Sequence, residues 1–196
     1  MVILFSEEHE GDDFLSDNFH TVGYQQNLKF NEAHQVIAQA FFEERGYTCV
    51  KADTDGAKTG GITMKITNLK APRDYISISV KADSWVGKSG NLFVEMEHKR
   101  RGLNNQIIKE QGWLITLKAQ KLVIVDTENE YVYLFDWATL KKFINDNLDN
   151  PSVCTIQEKE NRFDRQCLTK AALIRIDTLI GNGLVEARRK YKIVEV

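Results

Sequence analysis

The alternation of apolar and polar residues is clearest in two stretches. In YISISVKAD, Ile76, Ile78, Val80 and Ala82 alternate with Ser77, Ser79, Lys81 and Asp83, the period-two pattern of a strand with one face on a core and the other polar. NLFVEMEHK repeats it, with Phe93, Glu95, Glu97 and Lys99 on one side and Val94, Met96 and His98 on the other. With only the loop SWVGKSG between them, the two stretches are predicted to pair as a hairpin. Upstream, Ala33, Val36, Ile37, Ala40 and Phe41 recur at helical spacing, with Asn31 placed to cap the helix and Gly46 to end it. Strands are predicted at 47–51 and 62–66 on either side of the loop DTDGAKTGG, and Ala71-Pro72-Arg73 breaks the chain before the alternating stretch. Downstream, 103–119 is expected to be mostly helical with a break at Gly112. KLVIVD and YVYLFD are short strands about the turn TENE, and 137–148 carries an amphipathic helix through Leu140, Phe143, Ile144 and Leu148. The pattern weakens after Pro151, where 166–196 mixes a short helix with the terminal strand YKIVEV.

This order of elements predicts an α/β or α+β class, a mixed central β-sheet flanked by helices. At 196 residues and 42% apolar content, the chain is long enough for one good core and shows no composition break. One domain is therefore expected over 1–196, with an acidic N-terminal arm or lid (1–30), a core (31–145) and a C-terminal extension (146–196). The net charge of −2 and pI of about 6.1 exclude a histone-like binder, so any nucleic-acid site has to be a local basic patch. Cys49, Cys154 and Cys167 form no CxxC pair or even framework, which favours reduced thiols. MVILFSEEHEGDD has neither the basic start nor the apolar length of a signal peptide or membrane span. A cytoplasmic protein without a membrane partner is expected.

Metal-assisted phosphodiester hydrolysis needs clustered carboxylates to ligate Mg²⁺ or Mn²⁺ and a nearby cation. Glu97-His98-Lys99, with Glu95 on the same predicted face and Asp83 in the preceding strand, supplies those residue types, with Asp83, Glu95 and Glu97 as the metal set. The alternating charges of an edge hairpin would place the same residues there with no chemistry attached. His9, His20, His34 and His98 lack metal-ligand spacing, and neither Gly60-Gly61 nor Gly181-Asn182-Gly183 belongs to a Walker-type loop.

The stretch VKADSWVGKSGNLFVE resembles a pattern of phage and bacterial PD-(D/E)xK nuclease-like proteins: a strand E-x-K-x-D, a loop, T/S-G-N, then an aromatic, an aliphatic and Glu. Lys81, Asp83, Ser89, Gly90, Asn91, Phe93 and Glu95 fall on that pattern. GWLITLKAQKLVIVD resembles the family's Gly-Trp segment, turn and next strand, and Gly61-Ile62 resembles the Gly-Ile before its metal-binding Asp. The likeness spans about residues 31–145 and implies a restriction-endonuclease-like core. It also implies a degenerate site, because Thr63, Ser79 and Gln120 stand where acids are expected and Lys81 alone survives of the core set. If Lys81 lay opposite Glu95, the acids Asp83, Glu95 and Glu97 with Lys99 would rebuild a site, making Lys81, Asp83, Glu95, Glu97 and Lys99 the catalytic candidates.

A silent version would bind nucleic acid through basic and aromatic side chains. The candidates are Lys81, Trp85, Lys99, Arg100, Arg101, Lys118 and Lys121, with Trp113 read as either core or platform and 188–192 as a further basic run. Three functions follow as expectations. The first is a DNA-binding protein on a degenerate nuclease-like fold, such as a phage accessory factor of replication, transcription or counter-defence, which has no cofactor and meets a protein of those machineries. The second is an active Mg²⁺- or Mn²⁺-dependent endo- or exonuclease. The third is a protein-interaction module that has lost nucleic acid.

Overall fold

The computed structural model describes residues 2–6, 19–23, 30–53, 60–68, 70–101, 106–160 and 167–194. They form a mixed α+β fold of two sheets. The larger has eight strands in the order β2-β1-β12-β9-β8-β5-β4-β3. These are β1 (Val2–Ser6), β2 (Phe19–Gly23), β3 (Tyr47–Lys51), β4 (Met64–Asn68), β5 (Ala71–Ala82), β8 (Lys121–Asp126), β9 (Tyr131–Asp136) and β12 (Val185–Val194). The smaller has the order β10-β11-β6-β7, from β6 (Asn91–Arg101), β7 (Ile107–Gln111), β10 (Cys154–Glu160) and β11 (Cys167–Arg175). Helices among the described residues include α1 (Phe30–Glu44), α2 (Ser84–Ser89), α3 (Trp113–Thr116), α4 (Trp137–Asp146) and α5 (Ile176–Gly181).

The near-continuous apolar run KLVIVD is explained by burial of β8 on both faces. Val123 and Val125 join a core with Ile78, Val80, Ile3, Phe5 and the α1 residues Ile37, Ala38 and Phe41. Leu122 and Ile124 join a second core with Leu92, Val94, Ala172 and Ile174 of the smaller sheet and Trp137, Leu140 and Ile144 of α4. β5 pairs antiparallel with β4 and parallel with β8, so all of β6, β7, α2 and α3 lie within one crossover connection.

Several sequence expectations are overturned. β5 and β6 are not hairpin partners: β5 is held by β4 and β8, and β6 by β11 and β7. SWVGKSG is the helix α2 rather than a loop. Asp83 accepts hydrogen bonds from the backbone N–H of Trp85 (2.7 Å) and Val86 (3.3 Å) at its start, and Gly90 closes it at φ +69°. Most of the helix expected over 103–119 is instead the edge strand β7 and the single turn α3, divided at Gly112. Pro72 stands inside β5, not in a break before it. The expected acidic arm contributes β1 and β2, with Ile3 and Phe5 fully buried. α1 starts at Phe30, one residue ahead of the cap expected at Asn31, whose side chain lies outside the described residues. Most of the loop DTDGAKTGG, 54–59, lies outside them too. Of the C-terminal extension, residues 154–160 and 167–194 supply β10 and β11 to one sheet and β12 to the other.

Candidate functional site

Where the C-terminal end of β5 meets β6, β10 and β11, a groove of about 500 Å³ opens, lined by Lys81, Asp83, Trp85, Phe93, Glu95, Trp113, Lys159 and Thr169 among others. Lys81 is brought there by the parallel register with β8, which sets it beside Ile124. Its ammonium stands 5.7 Å from the Trp113 ring and, among the described residues, makes no hydrogen bond or ion pair. Burial lowers its pKa below that of an ordinary lysine, and the charge of Glu95 opposes that shift. Lys81 in turn adds to the burial that lowers the pKa of His34 on α1.

A bulge decides which β6 residues reach the groove. The β11 register steps from Lys170↔Glu97 to Ala171↔Glu95, leaving Met96 as the extra residue. The expected grouping of Phe93, Glu95, Glu97 and Lys99 on one side is thereby split. Glu95 shares the groove with Phe93 and meets His98 Nε2 at 3.3 Å, while His98 Nδ1 lies 3.1 Å from Thr169 Oγ1. Glu97 instead pairs with Lys99 (3.7 Å), which also reaches Glu158 (2.5 Å). Gly112 is seated on the bulge: its N–H donates to Met96 O (2.8 Å), which positions Trp113 between the groove and Trp137 (ring centroids 5.4 Å apart). Trp113 is thus both core and groove wall.

The metal set is not assembled. Asp83 spends its carboxylate on the α2 cap; burial raises its pKa against the opposing backbone hydrogen bonds from Trp85, Val86 and Phe93. Glu95 is turned to His98 and Glu97 to Lys99, and no three His, Cys, Asp or Glu among the described residues gather with metal-holding geometry. The positions where the resemblance expects acids serve the sheet. Thr63 Oγ1 accepts from Val80 N–H (3.0 Å), Gln120 Oε1 accepts from Ser77 N–H (2.9 Å), and Ser79 is fully buried. Among the described residues, Asp83, Glu95 and Glu97 thus face different partners and share no common point at which an Mg²⁺ or Mn²⁺ ion would be ligated. Replacing Asp83 by Ala is expected to lower stability by about 1–2 kcal/mol through loss of the cap. Asn keeps most of it in thermal unfolding; equal losses for Ala and Asn would contradict the capping role.

The expected basic patch is largely neutralised. Arg100 Nη2 lies 2.7 Å from Glu110, and Lys121 is held by Glu186 (2.5 Å) and Asp136 (3.2 Å). Lys99 is occupied as described. Arg101 ends β6 with its side chain outside the described residues, and Lys118 is exposed away from the groove, its N–H bonded to Gly60 O. The residue missed in the sequence is Lys159 of β10, whose ammonium stands 4.7 Å from the Trp85 ring. The polar strand CTIQEKE carries no local signal that could have singled it out.

The chain matches no protein-family model, no curated protein and no solved structure. No helix among the described residues is long and apolar enough to cross a membrane.

Proposed function

We propose that the protein binds DNA through this groove, on a PD-(D/E)xK nuclease-like core whose metal site is degenerate. The observation that carries the reading is the Lys81 ammonium, held in a partly apolar groove near the charge of Glu95 but with no hydrogen bond or ion pair among the described residues, while Lys99, Arg100 and Lys121 are engaged by carboxylates. A desolvated cation without a partner is costly, and a phosphate oxygen removes that cost. The core reading is supported by α1 packed against the β3-β4-β5 meander and its parallel neighbour β8, with Lys81 near the end of β5. The degenerate reading is supported by Asp83, Thr63 and Gln120 being engaged within the fold. An accessory role in phage replication, transcription or counter-defence belongs to the same reading.

The test is binding and cleavage of labelled single-stranded, forked and duplex DNA with and without Mn²⁺. Salt-sensitive retention without cleavage is expected, and Mn²⁺-dependent cleavage lost in Glu95→Ala would overturn it. The pH dependence has a definite sign. Lys81 binds phosphate as the cation, and its lowered pKa means that the charge is lost before surface lysines lose theirs near pH 10.4. Affinity therefore declines with rising pH below that range, and Lys81→Arg, which stays charged, flattens the profile. Anisotropy titrations across the alkaline range check this; identical profiles for the two proteins would remove Lys81 from the interface.

A further inference from the structure

Each indole of the groove carries an ammonium: Lys81 stands over Trp113 at 5.7 Å and Lys159 over Trp85 at 4.7 Å. Neither lysine has a hydrogen bond or ion pair among the described residues, and the two come from different sheets. Such cation–π rests are weak at partly exposed sites, so an anion easily outcompetes them. A flat partner can take the place of the ammonium on the ring face that it covers. A ligand offering both an anion and a planar ring satisfies both halves of each pair. A duplex presents phosphates but hides its base faces in the stack, whereas an unpaired nucleotide presents both. The groove's 500 Å³ lies in the range, roughly 300–1,000 Å³, of clefts that enclose a small ligand.

We infer that the groove is a binding site for unpaired nucleotides, in which phosphate draws Lys81 and Lys159 off Trp113 and Trp85 and the bases stack on the uncovered rings. This rests on the DNA-binding reading and narrows it to single-stranded segments. Glu95 and Glu160, which also line the groove, repel phosphate, so the phosphate path follows the two lysines.

The test follows intrinsic tryptophan fluorescence during titration with oligothymidylate, thymidine monophosphate, inorganic phosphate and a short blunt duplex. Quenching by oligothymidylate and, more weakly, by the monophosphate is expected, with a smaller change from inorganic phosphate, which displaces the lysines but offers no ring to stack, and duplex binding weaker by about tenfold or more. Lys159→Ala changes an exposed residue and is expected to weaken oligothymidylate binding and lower its salt slope by about one. Trp85→Leu is expected to remove part of the quench and about tenfold in affinity. Duplex bound as tightly as single strand, or the same quench from inorganic phosphate, overturns this inference and leaves DNA binding standing. Binding of no polynucleotide overturns both.

Discussion

Gly112→Ala is expected to lower stability by about 3 kcal/mol or more and to disable the groove. A Cβ at Gly112 would lie 2.7 Å from Met96 N and closer still to the carbonyl group of Glu95. Both are main-chain atoms, fixed by the β6 pairings with β11 on one side and β7 on the other. Overpacking against movable side chains typically costs about 1–3 kcal/mol, and here nothing can rotate away. The segment carrying Trp113 has to lift off the bulge, so the groove loses its aromatic wall along with the anchor of α3. For a chain of this size a loss of about 3 kcal/mol corresponds to a drop of roughly 6–12 °C in Tm. Gly87 is an instructive contrast. A Cβ there meets Asp126 Oδ1 at 2.5 Å and Glu128 Cβ at 2.6 Å, side-chain atoms at the end of β8 and in the turn after it, and that Oδ1 already accepts from Glu128 and Asn129 N–H, so Gly87→Ala disturbs this turn and leaves the β6 main chain in place. Calorimetric scans of the two variants measure the difference. A Gly112→Ala protein melting within a degree or two of wild type would mean that the bulge is not held as described.

The second large effect is expected at Glu44, the last residue of α1, which pairs with Arg189 of β12 at 3.1 Å. The two side chains are only 16% and 8% exposed, so this pair is unlike the solvated ones on the smaller sheet. Glu44→Ala takes a carboxylate from a guanidinium only 8% exposed, and breaking such a buried pair costs up to roughly 3 kcal/mol. Glu44→Ala should therefore destabilise strongly. The double replacement Glu44→Leu with Arg189→Met should recover most of the loss, because it leaves neither charge behind. Urea unfolding of the two proteins provides the measurement. A loss below about 1 kcal/mol for Glu44→Ala would place the pair with ordinary surface ion pairs.

The parts of the fold legible in the sequence are those fixed by local pattern. The strict alternation of 75–82 and the apolar runs about TENE are strands β5, β8 and β9, and the helical spacings after Asn31 and Trp137 are α1 and α4. What the sequence left open was the choice of partner. β5 and β6 are neighbours in sequence with matching patterns, yet hydrogen bonds to distant strands draw them into different sheets. IIKEQGWLIT is apolar enough for a helix, but Gly112 against β6 divides it into an edge strand and one turn. The bulge at Met96 has no signature of its own, and a one-residue slip alters which side chains share a face. That single residue separates Glu95 from Glu97 and Lys99. Of the candidate site, Lys81, Asp83, Trp85 and Glu95 do surround one groove, because the segment resembling the nuclease-like pattern carries both sides of it. Lys159 arrives from β10, which reaches β6 only through β11, and no local pattern reports such an approach.

The insertion of β12 between β1 and β9 bears on how the chain is made. During synthesis β9 emerges with one side open, and it stays so until residues 185–194 follow. Over that interval a six-residue edge reading YVYLFD, with both tyrosines and Val132 among its side chains, is available to any strand nearby. A ribosome stalled ahead of β12 would thus release a chain prone to associate with its own copies. The Arg and Lys residues of VEARRKYKIV add the last strand and place positive charge over the site of that hazard.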